Sequence, residues 1–267
     1  MAQNHQLQAQ RFELKYLIPD ELTPRIRSFV QSYLELDEFA AGPPDYSYNV
    51  YSIYLDSDDL KTYHWTLNGN DDRFKLRVRY YDSDSDNPVF FETKRRLNDC
   101  ILKERCGVRR SAAHLVLEGH FPEENALLSK SARHVNNLQR FCQFMAMLRA
   151  KPKAHVAYAR EAWVSPNDNS MRITMDRQVS TEPMSQLRFR GQLDNPFRVF
   201  GREVVLEIKF TERFPLWCRQ MVEALGLAQT GAAKYAWGIE QLGEVRFAQQ
   251  NWKMKEDAPA GVLKTAA

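Results

Sequence analysis

Three consecutive stretches decide the fold: Arg73-Phe-Lys-Leu-Arg-Val-Arg-Tyr-Tyr81, then Asp82-Ser-Asp-Ser-Asp-Asn-Pro88, then Val89-Phe-Phe-Glu-Thr-Lys-Arg-Arg96. The first alternates Phe74, Leu76 and Val78 with Lys75, Arg77 and Arg79, and the third spaces Glu92, Lys94 and Arg96 at the same interval. Successive side chains of a strand point to opposite faces, so each arm has one apolar and one ionic face. The middle stretch is made of residues that bond their own backbone or fix φ, which predicts a loop and hence a β-hairpin.

The ionic alternation recurs along the chain. Arg11, Glu13 and Lys15 share one face of residues 11–18, Arg172, Thr174 and Asp176 one face of 171–179, and Glu203, Val205, Glu207 and Lys209 one side of 202–210. A further strand is predicted at 101–109, with Lys103 and Arg105 among its charges and Gly107 marking a bulge. Strands are also expected at 46–56 and 154–163, and an irregular or edge segment at 186–200.

Helical periods appear at 20–36, 123–150 and 215–225, and a short helix is expected around Lys234. Ser57 and Ser111 are suited to cap two short helices that Gly69 and Gly119 close. The resulting expectation is an α+β fold: an antiparallel β-barrel tunnel with a charged lumen and helices packed outside. It comprises one domain over 11–247, between disordered tails at 1–10 and 248–267.

One strand with alternating charges ordinarily has a solvated outer face. Five such segments, nearly all ionic and rich in Arg and Lys, imply instead a shared interior. Buried charge without partners is costly, so a basic lumen calls for a polyanion. Arginine forks grip phosphate oxygens, lysines act as point charges, and carboxylates hold divalent cations; together these are the parts of phosphoryl transfer.

Composition narrows the alternatives. The 267 residues are 43% hydrophobic and carry a formal net charge of +3, too small for a general nucleic-acid binder. The four cysteines form no CxxC pair and read as reduced thiols of a cytoplasmic protein. No stretch approaches the length of a membrane span, and neither a Walker A motif, Gly-x-Gly-x-x-Gly nor Gly-x-Ser-x-Gly occurs. The run Asp82–Asp86 matches a calcium loop in composition only.

The set resembles the triphosphate tunnel metalloenzyme superfamily, related to CYTH domains, and within it the VTC-domain polyphosphate polymerases. The resemblance rests on Arg11-Phe-Glu-Leu-Lys15-Tyr, Ser52-Ile-Tyr-Leu-Asp56, Leu76-Arg-Val-Arg79-Tyr, Phe91-Glu-Thr-Lys94-Arg, Tyr158-Ala-Arg160-Glu-Ala-Trp, Arg172-Ile-Thr-Met-Asp176, Val205-Leu-Glu207-Ile-Lys209 and Ala233-Lys234-Tyr235. Arg11 stands where the triphosphatase and cyclase branch carries glutamate, which favours the polymerase branch. Ala233 stands where the polymerases usually carry serine.

The resemblance implies transfer of the γ-phosphoryl group of ATP onto inorganic polyphosphate, dependent on Mn2+ or Mg2+. Lys15, Arg77, Arg79, Lys94, Arg160, Arg172 and Lys234 would grip phosphates, supported by Lys75, Arg96, Lys103, Arg105, Lys209 and Tyr158. Glu207 would be the leading metal ligand, with Glu92 and Glu13 as helpers or as partners of the lysines. Export of product would need a membrane-protein partner. A tripolyphosphatase or nucleoside triphosphatase, and a non-catalytic polyphosphate or inositol-phosphate binding module, are the competing readings.

Overall fold

The computed structural model describes residues 11–248, apart from positions 85, 99, 167, 169 and 186. The expected tails at 1–10 and from 249 onward lie outside the described residues.

The sheet is built from β1 (Arg11–Ile18), β2 (Glu35–Leu36), β3 (Tyr48–Asp56), β4 (Asp72–Tyr80), β5 (Val89–Leu97), β6 (Cys100–Val108), β7 (Lys151–Val164), β8 (Met171–Pro183), β9 (Phe197–Arg198) and β10 (Val204–Thr211). The helices are α1 (Thr23–Val30), α2 (Lys61–Leu67), α3 (Ala113–Leu117), α4 (Ala132–Leu148), α5 (Leu216–Ala224) and α6 (Lys234–Leu242). The main strands run in the order β1-β10-β8-β7-β3-β4-β5-β6, with every pairing antiparallel. β2 adds to β7 and β9 to β8.

Alternation splits the sheet into two faces. On the convex face, Leu76, Val78, Phe91, Cys106 and Ile53 pack under Leu138, Phe141 and Met145 of α4. Ile173, Met175, Leu206 and Ile208 do the same under Ile26 and Val30 of α1 and Met221 of α5. Val50, Tyr54, Val156 and Val205 belong to the other face, and there Tyr235, Ala236 and Ile239 of α6 pack against them. One helix therefore lies across one end of the concave face, while the rest of that face stays ionic.

The expected closed barrel is corrected. β1 and β6 are the two ends of the strand order and make no ladder with each other. Side chains of the ionic face, rather than peptide groups, link β1 to the far end of the sheet: Lys94 Nζ on β5 lies 3.3 Å from both carboxylate oxygens of Glu13 on β1. A barrel exists only when the last strand's N–H and C=O groups meet the first strand's.

Local expectations are corrected in four places. The helical period at 20–36 yields a 3-10 turn and α1 only up to Val30, because Glu35 and Leu36 pair with Val164 and Trp163 instead. In 123–150 the helix starts at Ala132, where Ser131 accepts from the His134 N–H, and Leu127 forms a bridge to Val108. Gly107 is no bulge: the register runs unbroken through Phe90↔Gly107, and a Cβ there would lie 2.5 Å from Leu128 Cδ1. Ser111 caps nothing, since a 3-10 turn leads into α3.

Ser57 does accept from the Lys61 N–H at 3.0 Å, yet Asp56 is the larger anchor. Its buried carboxylate accepts from the N–H groups of Ser57, Thr62 and Tyr63 and from the hydroxyls of Thr62 and Tyr235, tying α2 and α6 to the end of β3.

Candidate functional site

Register places the expected strand residues on one face. Directly opposed residues of an antiparallel pair share a face. Lys15 opposes Glu207, Glu13 opposes Lys209, and Lys209 opposes Arg172. Asp176 opposes Arg160 and Tyr48 opposes Arg160 from the other side, while Tyr54 opposes Arg77. Lys75 opposes Lys94, Arg77 opposes Glu92, and these face Lys103 and Arg105. Lys234 enters from the first turn of α6, its Nζ 2.7 Å from Asp176 and 3.1 Å from Glu207.

The ionic lining falls into three clusters. In the first, Glu13 and Glu207 share two ammonium groups: Lys15 Nζ lies 3.2 and 3.6 Å from them, and Lys209 Nζ 3.8 and 3.0 Å. In the second, Arg160 makes a two-pronged pair with Asp176 at 2.6 and 2.7 Å, and Lys234 joins it to Glu207. In the third, Glu92 is ringed by Arg77 at 2.6 Å, Lys103 at 3.0 Å, Arg105 at 3.6 Å and Arg79 at 3.9 Å.

Lysines and arginines exceed the carboxylates among them, and the protonation equilibria register the excess. Burial raises the Glu13 acid's pKa, but Lys94, Lys209 and Lys15 outweigh it and bring it down to about 2. Glu207 and Glu92 are likewise held well below the ordinary carboxylate range against their burial, by Lys209 and Lys234 and by Arg77 and Arg79 respectively. Lys94 moves the opposite way to an ordinary ion-pair lysine, down to about 8: burial and the like charges of Lys15 and Lys209 exceed the pull of Glu13, which it must share.

Lys103 is pushed to about 7 by burial, beside Arg77 and Arg79. Lys75 is lowered to about 7 as well, first by burial and then by the like charges of Lys15, Lys94, Arg73 and Arg77. The missing charge is negative. Polar atoms on this face are left over: Arg79 Nε, Arg105 Nε, Glu92 Oε1 and the hydroxyls of Ser52 and Thr174 are buried without hydrogen-bond partners among the described residues. The two guanidinium nitrogens lie 3.9 and 3.6 Å from Glu92, beyond hydrogen-bond distance, and so can donate to a ligand oxygen.

Glu13 and Glu207 are the two neighbouring carboxylates of this face that a divalent cation would use. Among the described residues no group of three or more His, Cys, Asp or Glu side chains could hold a metal ion. Glu13 and Glu207 nevertheless converge on common ammonium positions, and two carboxylates completed by phosphate and water oxygens are the usual provision for Mg2+. Glu92 sits apart among its four cations, where it organises Arg77 and Lys103.

Arg96 is drawn aside, donating from Nε to the Asn98 carbonyl at 2.8 Å. Arg172 pairs with Asp37 at 2.9 Å and donates to Tyr48 Oη at 3.4 Å. Three contributors were not singled out as site residues from sequence: Asp176, which anchors Arg160 and Lys234; Tyr54, which accepts from Arg77; and Asp37. Asp176 was readable, since it shares the alternation of Arg172 and Thr174. Asp37 was not, because its contact depends on where a loop crosses the sheet.

A family model for the VTC domain matches residues 10–243. The chain belongs to the VTC domain family. Subunit 4 of the vacuolar transporter chaperone complex of Schizosaccharomyces pombe is 24% identical to it over 229 residues, covering 72% of this chain. This VTC-domain chain spans about a third of that relative, 32% of its length. Among solved structures, a Bacillus halodurans protein described as a candidate adenylate cyclase aligns with the VTC domain at a TM-score of 0.46 and 14% identity, over 84% of this chain and 94% of that one. No helix among the described residues is long and apolar enough to cross a membrane.

Proposed function

We propose that the protein is a metal-dependent polyphosphate polymerase. It transfers the γ-phosphoryl group of ATP onto a growing inorganic polyphosphate chain and releases ADP. The observation that carries this reading is an anion-deficient concave face, Lys75 above all, in a chain of the VTC domain family.

A terminal oxygen of the polyphosphate chain attacks the γ-phosphorus, and the bond from that phosphorus to the β–γ bridging oxygen breaks. ADP leaves with those electrons, so no protein nucleophile is needed. The side chains position the reactants and neutralise charge. Arg77, Arg79, Arg160 and Arg172 provide forks, and Lys15, Lys75, Lys94, Lys209 and Lys234 provide point charges. Glu92 and Asp176 hold these cations in place, as the ion pairs at 2.6 Å to Arg77 and Arg160 support. Glu207 and Glu13 would hold Mn2+ or Mg2+, which supplies charge neutralisation at the phosphates when bound. Likeness to a subunit of a complex supports protein partners.

Incubation with ATP and Mn2+, followed by gel separation, tests the reading. Ladders of polyphosphate are expected. Free phosphate without chains would mean a hydrolase in the same site, and binding without turnover a binding module. Lys94→Ala and Glu207→Gln should each lower turnover about 100-fold or more. If both variants kept full turnover, the site would be wrongly assigned.

A further inference from the structure

At one edge of the concave face the ionic lining gives way to aromatic rings. Tyr48 and Tyr81 lie with ring centres 6.2 Å apart, Phe39 meets Tyr48 edge-on at 6.0 Å, and Phe90 meets Tyr81 edge-on at 6.0 Å. Phe39 is 64% exposed, on a loop fixed by its own N–H donating to Asp37. The two arginines nearest the rings belong to both environments. The Arg105 guanidinium stacks 3.5 Å above the Phe90 ring, donates to Tyr81 Oη at 3.4 Å and also reaches Glu92. Arg172 joins Tyr48 to Asp37.

An inorganic phosphate chain has no use for this rim, because the faces of aromatic rings carry negative potential and repel anions. A ligand with a phosphate tail and a planar, uncharged head uses both parts. We propose that Phe39, Tyr48, Tyr81 and Phe90 form a nucleobase-stacking subsite that holds the base of a nucleoside triphosphate while Arg105 and Arg172 receive its phosphates. This rests on the nucleotide-using reading above and adds where the base sits. Stacking engages the π face that every base has, so the subsite favours purines by their area and discriminates little between adenine and guanine.

Calorimetry in Mg2+ with three probes tests it: ATP, ribose 5-triphosphate, which lacks the base, and inorganic tripolyphosphate. In the unaltered protein ATP should bind more tightly than ribose 5-triphosphate. Phe39→Ala should weaken ATP binding about three- to tenfold and leave the other two probes unchanged, whereas Tyr81→Ala, which also removes the hydroxyl that Arg105 donates to, should weaken ATP more than it weakens the other two. Phe39 is so exposed that its removal leaves the fold intact, and retained tripolyphosphate binding reports folding for Tyr81→Ala. If Phe39→Ala leaves ATP affinity unchanged, or either variant weakens ATP and tripolyphosphate to the same extent, the subsite is overturned while the phosphate site stands. If the unaltered protein binds tripolyphosphate but no nucleotide, the polymerase reading and the subsite both fall.

Discussion

Lys75 shows how a single residue can oppose folding and serve binding. An unfolded lysine titrates near 10.4, whereas in the folded, anion-free protein this one titrates at about 7. The folded state therefore binds fewer protons than the unfolded state between those values. Its cost to stability is full below pH 7 and fades as pH rises towards 10.4. Lys75→Met should raise the Tm of the anion-free protein by about 2–4 °C near pH 7 and weaken tripolyphosphate binding about tenfold. Calorimetry and thermal melts read both. A bound polyanion restores the high pKa of Lys75 and Lys103, so binding should take up protons, and affinity should fall as pH is raised above 7. Titrations in buffers of different ionisation enthalpy measure that uptake. The alternation around Lys75 made its face readable from sequence. Its crowding by like charges was not readable, because that depends on which strands bring Lys15 and Lys94 beside it.

At the scale of elements, α6 carries Lys234 and depends on how closely it lies on the sheet. A Cβ on Gly238 would come 2.8 Å from Thr181 Cγ2 on β8. Gly238→Ala should therefore destabilise the protein by about 1–3 kcal/mol and lower activity by lifting Lys234 off Asp176 and Glu207. Adding Thr181→Ala should recover part of both losses, since it clears the same space. Ala233 offers no side chain to cap α6, and Ala233→Ser should stabilise it by about 0.5–1 kcal/mol, seen as a higher Tm. The strands at 11–18, 72–80 and 89–97 could be read from local alternation, which pairing only reinforces. The segment at 31–36 could not, because Glu35 and Leu36 leave a helical period to satisfy β7. Gly107 misled for a related reason: its lack of a side chain serves Leu128, a residue distant in sequence, and not the local backbone.

For the whole molecule, the sheet folds over its ionic face until Glu13 meets Lys94, two strands that are far apart in the sheet order. The curvature brings together charges that would otherwise stay hydrated, and a bound polyanion should offset part of that cost. Tripolyphosphate at 100 times its Kd should add about 2.7 kcal/mol to stability, with a matching rise in Tm that shrinks as salt is added. Alternation of charge made the shared interior legible, but closure was not, since register across a seam has no local signature. That seam has a consequence for the traffic of a polymer. A ring of peptide hydrogen bonds can be entered only from its ends, and a long chain must first present a terminus. A sheet whose end strands β1 and β6 share no ladder is not closed in that way: opening it there breaks no row of peptide hydrogen bonds. On the polymerase reading proposed above, long strands of substrate can be laid in, and product let out, sideways as well as end-on.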